Sequence, residues 1–250
     1  MTKDRTFDPD AADSAAFEGV SHPRSSGLEP HIYNWLLKAA MAPEADLVRK
    51  VLVHATRAGV SRTKLADVYI PALAHQMGDM WCADTMGFAE VTIGVARLQA
   101  ILRELGPEWR ADLQAPADAP VVLLTTLRDA QHTLGAVILA GQLRRAGFSA
   151  RLVLDPTPSH IADLAQRLRF DAVFISASQS ESLEKMRRMI DLFKEISEAT
   201  VPVVVGGGIL EVHADVAQLV GADFATTDID EAVGYCGLIK KSSATNARGV

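Results

Sequence analysis

A chain of 250 residues, 48% of them apolar and carrying a formal net charge of -6, has material for one large domain or two small ones. No segment approaches the ~20 consecutive apolar residues that span a bilayer, and the N-terminal MTKDRTFDPDAADSAAFEGV lacks the basic-then-apolar layout of a signal peptide. A cytoplasmic protein is expected. The acidic balance argues against nucleic-acid binding over the whole surface, which depends on Lys and Arg neutralising phosphates. Cys82 and Cys236 lie far apart and in no metal-ligand spacing, so no disulfide framework is expected. The pairs Arg144/Arg145 and Arg187/Arg188 are read as solvated helix faces.

Residues 1–28 are poor in large apolar groups and rich in Asp, Ala, Ser and Pro, a composition that buries too little surface to offset its ordering entropy. They are expected to form a flexible arm. From Pro30 to Leu105 the pattern is helical. Trp35, Leu36 and Ala39 share one face, and Pro43, Glu44 and Asp46 open a second helix through Leu47, Val48, Val51 and Leu52. Gly59 is a stop and Ser61 an N-cap for a third helix with Leu65, Val68, Tyr69 and Leu73. Pro71 falls inside that pattern and is expected to kink or divide it. A fourth helix runs from Met86 to Leu105, closed by Gly106-Pro107. The expectation for residues 29–110 is a small four-helix bundle.

Residues 111–119, with Pro116 and small and acidic neighbours, read as a linker. Beyond them Val121–Thr126, Ala150–Leu154, Ala172–Ala177, Val201–Val205 and, more weakly, Asp223–Thr226 are β-prone runs separated by helical stretches. That alternation predicts an α/β unit over residues 120–240, a five-stranded parallel Rossmann-like sheet of flavodoxin-like order 2-1-3-4-5. Residues 241–250 read as a frayed tail.

Three loops fall at the carboxyl edge of that sheet, where open α/β sheets bind ligands. Arg128-Asp129-Ala130-Gln131-His132-Thr133-Leu134-Gly135 follows the first strand, Ser176-Ala177-Ser178-Gln179-Ser180 the third, and Gly206-Gly207-Gly208 the fourth. Imidazole is a common metal ligand, hydroxyls at a strand end can hydrogen-bond a polar ligand, and glycines admit close approach to the backbone. Singly, each has a plainer account as a turn or a helix cap.

Jointly, the His132 loop with Gly135 three residues later, the Ser-x-Ser loop and the glycine pair resemble the cobalamin-binding domain shared by methionine synthase, corrinoid methyl-transfer proteins and cobalamin-dependent mutases. The resemblance covers about Pro30 to Val233. It implies that His132 is the lower cobalt ligand, flanked by Asp129, Gln131 and Thr133, and that Gly135 lets the displaced nucleotide tail pass. Ser176 and Ser178 would contact the buried base, and Gly206 and Gly207 would make room for it. Tyr69-Ile70-Pro71-Ala72-Leu73 and Met77-Gly78-Asp79-Met80-Trp81 resemble the helical bundle that caps the cofactor's upper face, which makes Trp81, with Phe88, the implied cap.

Two positions depart from the family. An acid usually stands two residues before the histidine and holds its other nitrogen; here that position is Ala130, and the nearest acid, Asp129, is one place off. Light-sensing repressors of the CarH type carry Glu-His ten and eleven residues after the cap tryptophan, where this chain has Val91 and Thr92. His75, His31 and His22 are then the candidate upper ligands.

A cap and a cobalamin domain with neither a catalytic barrel nor a DNA-binding module resemble the AerR/PpaA regulators of photosynthetic bacteria. That resemblance implies a non-enzymatic antirepressor, responsive to light or redox state, acting through a PpsR/CrtJ-type repressor without sequence-specific DNA contact of its own. The cofactor would be adenosylcobalamin or hydroxocobalamin. The alternatives are a corrinoid carrier for a methyltransferase and a haem-binding sensor of the SCHIC type.

Overall fold

The computed structural model describes residues 28–42, 45–106, 119–197 and 200–238. The expected N-terminal arm and C-terminal tail, nearly all of the linker, and the Pro43-Glu44 opening of the second helix lie outside the described residues. The chain divides into two compact units, Met1–Leu105 and Gly106–Val250.

The first unit is helical. α1 (Pro30–Met41) opens on a proline, whose missing N–H costs nothing in the first turn, and buries Ile32, Tyr33, Leu36, Leu37, Ala39 and Ala40. α2 (Ala45–Arg57) ends in a turn at Gly59, whose φ of +86° a side chain would strain. Ser61 caps α3 (Arg62–Lys64), its hydroxyl accepting from the Lys64 N–H at 3.0 Å. The chain then widens into one π-helical turn (Leu65–Tyr69) and continues as α4 (Ile70–Cys82). The expected break at Pro71 is absent. In the π turn the Ile70 N–H reaches back to the Leu65 carbonyl, and this wider turn immediately before Pro71 gives room for the ring without ending the helix.

α5 (Phe88–Leu105) begins two residues later than the periodicity suggests, with the Gly87 N–H donating to Glu90 Oε2 at 2.7 Å. Gly94 lets α5 approach its neighbours closely: a Cβ there would lie 2.7 Å from Met77 Sδ and 3.2 Å from Met41 Sδ. The Arg97 guanidinium donates to the Ala40 carbonyl at 3.0 Å and ties α5 to α1.

The second unit is a five-stranded parallel sheet of order β2-β1-β3-β4-β5, the flavodoxin-like order expected. Its elements are β1 (Val121–Thr125), α6 (Leu134–Arg145), β2 (Ser149–Val153), α7 (Pro158–Arg167), β3 (Ala172–Ser176), α8 (Leu183–Ile196), β4 (Val203–Gly206), α9 (Ile209–Val212), α10 (Val216–Val220), β5 (Phe224–Ala225) and α11 (Ile229–Tyr235). Registers such as Val122↔Ala172 and Val173↔Val203 align the strands so that their carboxyl ends share one edge.

Both faces are covered, which is why the strands read as unbroken apolar runs. Leu123, Val173, Ile175 and Val205 pack with Met186, Ile190 and Phe193 of α8 on one face. Val122, Leu124, Phe174 and Val204 pack with Ala140 and Leu143 of α6 on the other. Each such side chain contributes ~1.5–3 kcal/mol on burial. Arg144 corrects the expectation of a solvated pair: it is half-buried and donates to the Ala150 carbonyl at 2.9 Å, whereas Arg187 and Arg188 are exposed. Both cysteines are free. Burial, and secondarily the Asp223 carboxylate, push the Cys236 thiol up to about 11, so it stays protonated and unreactive at neutral pH.

Two outcomes follow from this packing. Burial, and secondarily Asp79, raise Tyr33 to about 12 from 10.0. Its folded-state value lies above the unfolded one, so its contribution is intact below pH ~10 and is lost as pH rises toward ~12. Urea melts across that window fall with pH in the wild type and flatten in Tyr33→Phe. Gly207 has φ +100°, and a Cβ there would sit 2.4 Å from the Ala177 carbonyl oxygen. Gly207→Ala is therefore expected to cost at least ~2 kcal/mol by chemical denaturation.

Candidate functional site

The candidate site is built where β1, β2, β3 and β4 end. The first strand leads into Thr126 and Leu127, both fully buried, and the chain then emerges as an exposed loop at Arg128 and Asp129. Asp129 has φ +65°, a conformation that Asp tolerates better than most residues. Its N–H donates to Asp155 Oδ1 at 2.8 Å, its carbonyl accepts from Gln131 Nε2 at 3.2 Å, and its carboxylate lies 3.6 Å from Lys185 Nζ. That ion pair is exposed at both ends and is worth under ~1 kcal/mol.

His132 comes next but one after Ala130, and its ring is exposed. Among the described residues it has no hydrogen-bond or ionic partner, so the acid relay usual in the resembling family is not replaced by Asp129, whose carboxylate is turned to Lys185. Thr133 is the N-cap residue of α6, and its carbonyl accepts from the Val137 N–H at 3.2 Å. Gly135 is exposed in the first turn. The nearest atom to a Cβ built there is Ser176 Oγ at 3.7 Å. The loop after β1 and the end of β3 therefore meet across a gap that a glycine leaves open.

The third-strand loop has Ser176 and Ser178 half-buried. The Ser178 hydroxyl lies 3.2 Å from Ser180 Oγ and 3.4 Å from Glu181 Oε1. The fourth-strand loop is pinned to it: the Ala177 N–H donates to the Gly206 carbonyl at 2.9 Å and the Ile209 N–H to the Ala177 carbonyl at 3.2 Å. Gly206 and Gly207 are thus required by backbone packing, since a Cβ on Gly206 would lie 2.8 Å from the Thr226 carbonyl oxygen. They form a wall of main chain with no side chains on it.

In the helical unit Trp81 is 46% exposed and Phe88 70% exposed, with ring centroids 6.1 Å apart and planes tilted by 58°. Both rings are thus left largely in solvent within this unit. Thr92, in the position of the missing upper histidine, donates its hydroxyl to the Phe88 carbonyl at 2.8 Å. Of the candidate upper ligands, His75 is exposed on α4, and His31 makes a T-shaped contact with Trp35 at 5.3 Å, which makes a second T-shaped contact with His54 at 4.5 Å. His22 lies outside the described residues.

Sequence reading missed three participants: Thr126, Asp155 and Lys185. Asp155 could have been found, since it directly follows the second strand and the predicted order sets that strand beside the first. Lys185 could not, because nothing in its local sequence points to a loop 56 positions upstream.

Residues 120–233 match the B12 binding domain family. An uncharacterised 20.5 kDa protein from the bchF-crtJ intergenic region of Rhodobacter capsulatus is 35% identical over 176 residues, which are 70% of this chain and 92% of that protein. Among solved structures, the monomethylamine corrinoid protein of Methanosarcina barkeri aligns over 81% of this chain and 93% of its own, with a TM-score of 0.59 and 17% identity. A cobalamin-binding protein of Desulfitobacterium hafniense aligns over 82% and 97%, with a TM-score of 0.42 and 21% identity. With the parallel sheet, the histidine loop and the glycine wall in place, the chain carries a B12 binding domain over residues 120–233 and belongs to the same family as the Rhodobacter capsulatus protein.

Proposed function

We propose that this chain is a cobalamin-binding regulator in which His132 would hold the cofactor's cobalt. One observation carries the reading. An exposed imidazole with no partner among the described residues stands at the same sheet edge as Gly135, whose missing side chain leaves Ser176 Oγ 3.7 Å from the vacant Cβ position. When bound, the cofactor would supply a cobalt centre able to respond to light or redox change.

The chain's own residues do the rest. His132 offers the nitrogen, with Asp129, Gln131 and Thr133 shaping its loop. Gly135 opens a path to the Ser176 and Ser178 hydroxyls, which can hydrogen-bond a buried polar group, and Gly206 and Gly207 present only backbone to it. Trp81 and Phe88 offer an aromatic face suited to a flat macrocycle.

The relative's location beside crtJ supports a regulatory role, as an antirepressor of a PpsR/CrtJ-type repressor. A change in the bound cofactor would shift the protein between states only if the two states differ in affinity for the two cofactor forms. A second reading, a corrinoid carrier of a methyltransferase system, uses the same site and draws support from the fold shared with the Methanosarcina barkeri corrinoid protein. In both, the chain carries the cofactor and turns over no substrate alone.

Electron paramagnetic resonance of the protein loaded with hydroxocobalamin and reduced by one electron tests the ligand. Labelling histidine with ¹⁵N is expected to change the multiplicity of the nitrogen splitting, and His132→Ala to abolish that change. A splitting pattern indifferent to both sinks the assignment. Gly135→Ala is expected to fold with equal or greater stability, by up to ~1 kcal/mol, because alanine is the better helix former. The same variant is expected to bind hydroxocobalamin on the order of tenfold more weakly by titration. For the regulatory role, the loaded protein should weaken a PpsR/CrtJ-type repressor's hold on operator DNA in a gel-shift assay. An unchanged shift with every cobalamin form, lit or dark, discards the antirepressor reading in favour of the carrier.

A further inference from the structure

The His132 loop carries a hydrogen-bonded brace that neither the family match nor the site chemistry assigns. The Asp155 N–H donates to Thr126 Oγ1 at 3.2 Å, and Asp155 Oδ1 accepts from the Asp129 N–H at 2.8 Å. Thr126 is fully buried and Thr125 is nearly so. The Thr125 hydroxyl lies 2.9 Å from the Val153 carbonyl, so the ends of β1 and β2 are fastened together beneath the brace. Asp155 and Asp129 have φ of +53° and +65°. Among the described residues only three non-glycine residues have positive φ, and two of them are joined by this one bond. A left-handed side-chain-bearing residue costs ~1–2 kcal/mol, and such conformations persist where the surroundings over-determine them.

We infer that Asp155 is a positioning residue for His132, holding the loop through the Asp129 N–H in place of the acid that Ala130 lacks. The inference rests on His132 being the cobalt ligand. In the usual arrangement a carboxylate holds the histidine ring directly. Here the ring has no such partner among the described residues, and the carboxylate of Asp129 faces Lys185. What fixes the ring's approach is then the backbone that carries it. That backbone is held at Asp129 by Asp155 on its N–H and Gln131 on its carbonyl, while Lys185 pairs with the Asp129 side chain.

Two substitutions separate positioning from a merely local backbone requirement. Asp155→Gly relieves the left-handed strain but deletes the acceptor, whereas Asp155→Asn keeps an acceptor oxygen and tolerates the same φ. In the cofactor-free protein, amide hydrogen exchange at Asp129 is expected to speed up on the order of fivefold in Asp155→Gly and to stay near wild type in Asp155→Asn. In the hydroxocobalamin-loaded, reduced protein, the fraction showing histidine-nitrogen splitting is expected to fall by a similar factor in Asp155→Gly and to recover in Asp155→Asn. Wild-type splitting in Asp155→Gly overturns the proposal, whether or not exchange is faster. Equal loss in both variants also overturns it, since the acceptor oxygen would then not be what matters. A wild-type spectrum identical to that of His132→Ala instead overturns the ligand reading beneath it, and the proposal with it.

Discussion

The parallel pairing of β1 with both β2 and β3 is the constraint on which the rest of the second unit depends. With β1 inside the sheet, the chain leaves it toward α6 on one face, while the chain leaving β3 runs to α8 on the other. Two loops that depart to opposite faces from neighbouring strands leave a crevice between them at the carboxyl edge. Gly135 stands on one lip and Ser176 on the other, and the gap between them needs no further explanation than topology plus one missing side chain. The wall beyond is backbone because Gly206 and Gly207 meet the main chain at Thr226 and Ala177. The same glycines that would admit a ligand are therefore demanded by the fold itself.

Within that frame the histidine is set apart by what it lacks. A ligating imidazole is commonly sharpened by a carboxylate on its second nitrogen, which raises its basicity and fixes its orientation. Among the described residues no group does this for His132. Asp129, the nearest acid in sequence, is held at a positive φ by Asp155 and directs its carboxylate to Lys185.

The helical unit shows how local chemistry and packing trade against each other. Pro71 removes a backbone donor, yet the π turn just before it preserves the helix that carries Tyr69, Leu73 and Met77 into the core. Trp81 and Phe88 stay exposed at the end of α4 and the start of α5.

The sequence by itself determined the class and order of nearly every element, because apolar periodicity, caps at Ser61 and stops at Gly59 are local signals with local causes. It also determined which loops share an edge, since alternating strands and helices permit few topologies. Strand ends differ from the sequence reading by one or two residues, as at Val203–Gly206, because ladder hydrogen bonds and not composition decide where pairing begins. Only the tertiary structure decided the fate of Pro71, the burial of Arg144, and the partners of Asp129. Each depends on a neighbour distant in sequence or on a backbone adjustment that propensity does not encode. The Asp155–Asp129 bond spans 26 positions, and the Asp129–Lys185 pair 56. Such contacts exist only once β1, β2 and β3 have been brought to one edge.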